Sequence, residues 1–420
     1  MKARTVAFPI AFVVGVSLLA PEVNGQAEVT TVAALNVFFQ GANGELIDAH
    51  WDGGDWFWGA HGLPPDGTRM DSAPAVLSVQ SESNWWVLNV FFKGSNGQPV
   101  ERDWEAMPGR WSWAAPHGLP PDGTQMDSAP AAIAWATTAY IVRNVYFKGA
   151  NGQLYEHWQQ QGQPWQWFAH GLPPGGTLMA SAPAAIHWQT QDGTHQQDVF
   201  FQGKNGELIE AYWDSSGWQW VTDHGLPPGT QMASAPAAIS TKTSAGVPVR
   251  HVFLAGGDGQ LYERWKVEGQ PWQWFAHGLP PDGAQIVSAP AAVPWNYQGI
   301  PRKNVFFQGS NGEVVGRYWD EHQGWQWDGH NAPHGLPPGG TRMASAPAAI
   351  AYRLPAGYWW QNIFFQGANG ALIEAYWDSP GEGDWFWGKQ HDAPPGTLMV
   401  SAPAIGYWRK VVVRPPLPDH

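Results

Sequence analysis

The stretch NVFFQGANGELIDAHWD at 36–52 returns, little altered, six more times, so that units open at Asn36, Asn89, Asn144, Asp198, His251, Asn304 and Asn362, 53 to 58 residues apart. A period of that length belongs to an array in which each unit is one supersecondary element, not to a string of independent domains. Each unit keeps one order: NVFFQG, then ANGELIEAYWD, then a WQW pair, then HGLPPGTQM, then SAPAAI. NVFFQ and ELIEAYW are short, rich in aromatic and β-branched residues, and joined by Asn-Gly or Asp-Gly, which reads as a hairpin. WQWF is a third short strand, and SAPAAIHW a fourth, separated by a Pro- and Gly-rich loop that cannot continue a sheet. No segment of the unit sustains a helical period.

Four antiparallel strands repeated seven times predict an all-β chain, a seven-bladed β-propeller. The small residues of SAPAA suit the crowded inner strands, and Trp and Phe belong further out, where blades widen. The last unit ends in SAPAIGYW (401–408) with no hairpin after it, while the first hairpin has no SAPA strand before it. The C-terminal strand is therefore expected to complete the first blade and remove the open edges, with 27–35 as a competitor for that place. The reading sets the propeller at 27–410 and a tail at 411–420.

Lys2 and Arg4 precede an apolar stretch from Ala7 to Ala20, so residues 1–25 read as a secretory signal peptide and the protein as exported. No other segment approaches the roughly 20 apolar residues of a membrane-spanning helix, which argues against membrane insertion. The absence of cysteine excludes disulfides and thiolate metal sites, leaving the core to hold the fold. A net charge of −13 with no basic run speaks against nucleic acid or anionic lipid as partner. The 29 Trp exceed what a core of this size requires and suggest surfaces that grip a ligand.

Two polar positions recur. A carboxylate stands at Asp48, Glu101, Glu156, Glu210, Glu263 and Glu374, with Gly316 as the exception, and twelve residues earlier stands Asn36, Asn89, Asn144, Asp198, His251, Asn304 or Asn362. Glu is disfavoured in mid-strand and heavily penalised when buried without a partner. The hairpin should fold the two positions together. Beyond the acid come Trp51, Trp104, Trp213, Trp319 and Trp377, replaced by Gln159 and Lys266 in two units, and then the first Trp of each pair: Trp56, Trp111, Trp165, Trp218, Trp272, Trp325 and Trp385. An acceptor carboxylate, an amide and an indole face suit a monosaccharide, whose hydroxyls need directed hydrogen bonds and whose C–H face prefers an aromatic plane.

Architectural readings compete at several of these positions. The second Trp of a pair, such as Trp58 or Trp220, is expected in the core by strand alternation, the first can serve core or ligand, and the acids can instead accept backbone N–H bonds. Met70, Met126, Met179, Met232, Met343 and Met399 read as gap-filling core. His61, His117, His170, His224, His277, His334 and His391 come one per unit, without the close spacing of metal ligands on one element, and are expected to anchor loops. No calcium-loop pattern and no Asn-x-Ser/Thr site is present, so neither metal nor cofactor is expected.

The segment RNVYFKGANGQLYEHW (143–158) and the later SAPAAIHW resemble the repeat of the Aleuria-type fucose-specific fungal lectins, and the whole sevenfold unit is more similar still to the Photorhabdus-type bacterial propeller lectins. The resemblance covers essentially the whole chain after residue 25. It implies sugar bound between adjacent blades by an Arg just before the aromatic doublet, a Glu twelve residues on, and aromatics of the neighbouring blade. The Glu corresponds to Glu101, Glu156, Glu210, Glu263 and Glu374, with Asp48 in its place in the first unit, and the aromatics to Trp213, Trp218 and their equivalents. The Arg has no counterpart, since Asn, Asp or His stands there, which removes a bidentate donor.

Three function classes follow. The first is a secreted multivalent lectin for fucose or a similar sugar on glycans, with up to seven sites, each binding at about millimolar to micromolar strength and gaining ~10² to 10⁴ by avidity. The second is a glycoside hydrolase, which needs two carboxylates across one bond where this chain offers one per unit. The third is a protein-binding scaffold with Trp hot spots, for which near-identical sites are unsuited.

Overall fold

The computed structural model describes residues 28–80, 86–105, 109–222, 224–297, 299–327, 335–355, 357–378, 385–388, 391 and 394–414. The signal-peptide reading of 1–25 and His334 lie outside them. The described strands form seven four-stranded antiparallel sheets, and their inner strands neighbour one another around a closed ring. The seven-bladed all-β propeller is the architecture the repeat predicts.

Each blade is cut one strand out of phase with the repeat. In blade 2 the inner strand is Ala75–Gln80, from the SAPA segment that ends the first unit, and it pairs with the second strand Trp86–Lys93 of the next unit. The third strand, Pro99–Glu105, and the outer strand, Arg110–Trp113, follow in order. This phase leaves the first hairpin without an inner strand, and Ala404–Arg414 supplies it. That strand is antiparallel to Glu28–Gln40, from Phe38 opposite Ala404 to Glu28 opposite Arg414. At 11 residues it is the longest of the inner strands, the others having six or seven. Residues 28–35 therefore do not compete with the C-terminal strand but extend its partner, and the strand runs four residues past the expected boundary at 410.

A propeller blade has no solvent face, which explains the aromatic doublet. Alternation along the strand sends Phe91 towards blade 3, edge-on to Trp165, and Phe92 towards blade 1, and both are fully buried. Burial of such a side chain contributes about 2–3 kcal/mol, and the doublet repeats in every blade but the fifth, where Leu254 follows Phe253. The second Trp of each pair joins this core, as Trp58 does edge-on to Phe39 and Trp220 to Phe201. The GTxM loop ties blades together: Met70 is buried, bridges Gly94 of the next blade, and accepts from Gln40 Nε2 through its carbonyl at 2.6 Å. The SAPA serine receives a backbone N–H of the second strand, as Ser72 does from Lys93 at 3.0 Å.

Candidate functional site

Because adjacent strand residues face opposite sides of a blade, each cleft between blades is built from two sequence units. The blade on one side supplies the unit-opening polar residue and the acid twelve residues on; the following blade supplies the first Trp of its pair and the residue just before its own opening position.

The hairpin brings the polar residue and the acid together. Asn36 donates to Asp48 at 2.5 Å, Asn89 to Glu101 at 2.9 Å and Asn362 to Glu374 at 2.6 Å, while Asn144 donates to Glu156 and His251 bonds Glu263 at 2.6 Å. In blade 4 two acids meet, Asp198 and Glu210, and Arg250 of blade 5 bonds both, at 2.7 and 3.1 Å. All six acids are buried, none more than 6% exposed. Their partners are side chains, not the backbone N–H groups that the architectural reading offered. In blade 6 Gly316 provides no acid, and Asn304 accepts from Trp295 Nε1 at 2.7 Å instead.

The loop histidines do anchor their loops, but the anchor is the acid itself. His224 and His391 bond Glu210 and Glu374 at 2.9 and 3.0 Å. His61, His117, His170 and His277 lie within 3.3 Å of Asp48, Glu101, Glu156 and Glu263, out of line for a hydrogen bond. In two clefts an Arg of the next blade fixes the ring: Arg264 Nε donates to His224 Nδ1 at 3.3 Å and Arg317 Nε to His277 Nδ1 at 2.9 Å, which leaves Nε2–H to face the carboxylate. His157 takes the same role towards His117 at 3.0 Å. Among the described residues no group of three His, Asp or Glu is placed to hold a metal ion.

Seven indoles cross the clefts. Trp56, Trp111, Trp165, Trp218, Trp272, Trp325 and Trp385 each stand edge-on to the first ring of the preceding blade's doublet, with centroids 5.3 to 5.9 Å apart. Six of them also meet the loop histidine, from 4.4 Å at Trp218 to 5.2 Å at Trp165. All seven remain partly exposed. Of the Trp position nearer the acid, Trp213 is partly exposed opposite Trp218, whereas Trp377 is 5% exposed and packed with Trp295 and Tyr318. The predicted polar residue, acid and first indole thus converge, while Trp377 belongs to a packed cluster.

Sequence reasoning passed over the residue before the opening position. Arg143 reaches Glu101 at 3.3 Å, Arg250 reaches Glu210, and Lys303 approaches Glu263 at 3.9 Å, each crossing from the following blade. The signal was present as a basic residue in three of seven units, and alternation alone would have aimed it at the neighbouring cleft. These charges shape the electrostatics. Burial pushes Glu101 up, and burial together with Glu101 beside it raises the Asp103 carboxyl to about 7. Burial lowers His117 to about 4 and Lys303 to about 8. Glu263, which burial alone would push up, is held well below the usual range by the hydrogen bond from His251 and by His277 and Lys303 beside it. Burial also raises Asp198, against the pull of Arg250.

No protein-family model matches the chain, and no curated protein matches it. Among solved structures it is similar to the BP39L lectin from Burkholderia pseudomallei, with TM-score 0.58 and 20% identity over 89% of this chain and 99% of that one. It is also similar to a variant of AofleA from Arthrobotrys oligospora, with TM-score 0.51 and 16% identity over 82% and 90%. A third likeness is to a variant of the Aleuria aurantia lectin in complex with α-methyl-L-fucoside, with TM-score 0.51 and 18% identity over 79% and 100%. At these identities the likeness is one of fold: the chain is a β-propeller of the kind these lectins have.

Proposed function

We propose that the chain is a secreted, non-enzymatic lectin that binds monosaccharide units of glycans, fucose or a similar sugar, in the clefts between its blades. The observation that carries this reading is the repeated convergence, in one cleft, of a buried acid, a side-chain amide or imidazole holding it, and a partly exposed indole from the next blade. Acceptor and donor groups beside an aromatic plane are what directed hydroxyls and a C–H face require. The similarity to a fungal propeller solved with α-methyl-L-fucoside supports the sugar class. Arg143 restores to one cleft the cation that the opening position lacks.

Hydrolysis would need two carboxyls about 5–9.5 Å apart across one bond. Glu101 and Asp103, the acids of one cleft, instead share the single amide nitrogen of Asn89 on the same strand face. Copies of a weak site on one ring raise avidity for a glycan-covered surface by ~10² to 10⁴. A glycan array tests the function: binding to a defined sugar class, abolished by the free monosaccharide, is expected, whereas binding that no free sugar displaces would refute it.

A further inference from the structure

The seven clefts differ in what fills them, and the cleft between blades 2 and 3 is unlike the rest. Two bulky positions narrow the others. The first, two residues after the acid, holds His50, Trp158, Tyr212, Trp265, Tyr318 or Tyr376, but Asp103 in blade 2. The second, three residues after the acid and facing the preceding blade, holds Trp51, Trp104, Trp213, Lys266, Trp319 or Trp377, but Gln159 in blade 3. Both exceptions fall on one cleft. Where the aromatics are present they pack: Trp104 lies 4.3 Å from Trp408, and Trp377 lies 4.9 Å from Trp295.

Two other clefts are closed by their own cations. Lys303 Nζ sits 4.1 Å from the Trp319 ring and 5.1 Å from that of Trp325. The Arg250 guanidinium sits 4.7 Å from Trp188 and 4.9 Å from Trp272. Arg143 likewise lies over the indole of its cleft, 5.2 Å from the Trp165 ring, so the three cations differ not in that contact but in how deeply they are buried. Arg143, the equivalent residue of blade 3, has a side chain 20% exposed, against 10% for Arg250 and 6% for Lys303. It lies at the edge of a cavity of about 460 Å³ lined by Glu101, Asp103, His117, Gln159 and Trp165 among others, within the ~300–1,000 Å³ usual for ligand sites.

We propose, on the carbohydrate reading above, that the cleft between blades 2 and 3 is the principal sugar site, with Arg143 and Gln159 as donors and the Glu101–Asp103 pair as its acid wall, and that Arg250 and Lys303, more deeply buried, close the clefts before blades 5 and 6. The acid pair suits a hydroxyl-rich ligand: with Asp103 raised to about 7 by burial and by Glu101, the pair holds a proton near neutrality and can donate as well as accept.

The test refills the cavity with residues the chain itself uses elsewhere. Native protein and the double variant Asp103→Tyr/Gln159→Trp are titrated calorimetrically with methyl α-L-fucoside, methyl α-D-mannoside, methyl β-D-galactoside and N-acetylglucosamine. The native chain is expected to show one site clearly tighter than any other, and the double variant to lose on the order of tenfold or more in affinity at that site. Cooperative unfolding with a denaturant midpoint no lower than that of the native chain checks that the ring is intact, and either single substitution serves where the double does not fold. Native-strength binding by the variant, or several equal sites in the native chain, would overturn the proposal alone. Silence towards every sugar would overturn the carbohydrate reading with it.

Discussion

Asp103→Asn should stabilise the ring at neutral and alkaline pH and do nothing for it in acid. In the folded chain the Asp103 carboxyl rises from 3.8 to about 7, first through burial and then through Glu101. An acid with a raised folded pKa holds its proton longer when folded. Its contribution is therefore most favourable below about pH 4 and is lost as pH climbs through about 7. A displacement of that size corresponds to at most about 4 kcal/mol at ~1.4 kcal/mol per pH unit. The carboxyl borders an open cleft, so solvent screening reduces the expectation to about 2 kcal/mol. Asparagine keeps the shape and can donate to Glu101 without ionising. Guanidinium unfolding followed by Trp fluorescence at pH 4, 6 and 8 should show native and variant equal at pH 4 and the variant gaining steadily to pH 8. A variant that gains nothing between pH 4 and 8, or that is less stable at pH 8, would refute the acid-pair reasoning.

Arg250→Met leaves Asp198 and Glu210 buried without their shared cation and should cost about 3–5 kcal/mol in denaturant unfolding; adding Asp198→Asn should recover part of it, as a double-mutant cycle would show. Removing residues 404–420 deletes the inner strand of blade 1, and cooperative unfolding is expected to disappear, with circular dichroism as the readout. A Cβ at Gly59 would lie 2.0 Å from Asp48 Oδ1, so Gly59→Ala should shift Asp48 and lower stability by about 1–3 kcal/mol, seen as a lower denaturant midpoint.

The fold was legible because its cause is periodic. An aromatic doublet (Phe253-Leu254 in the fifth unit), an Asn-Gly or Asp-Gly turn and a small-residue strand recur in fixed order, and each blade, buried on both faces, needs that order. The approach of Asn36 to Asp48 followed from hairpin register alone. The histidines were harder: at 13 to 17 residues from the acid in sequence, His61 to His391 reach it only because the loop after the outer strand folds back, which no strand pattern encodes. Arg143, Arg250 and Lys303 act across a blade boundary, so that each belongs by sequence to one unit and by contact to the one before. The open cleft was invisible for a related reason. It arises from Asp103 in one unit and Gln159 in the next, two exceptions that look unrelated until the ring places them face to face.

A crystal of this chain soaked with the monosaccharide that displaces it from glycans tests the central claim most directly. Sugar density is expected between adjacent blades, strongest between blades 2 and 3, with hydroxyls within hydrogen-bond reach of Glu101, Asp103, Arg143 or Gln159. Density confined to the axial channel or the outer rim, with these clefts empty, would contradict it.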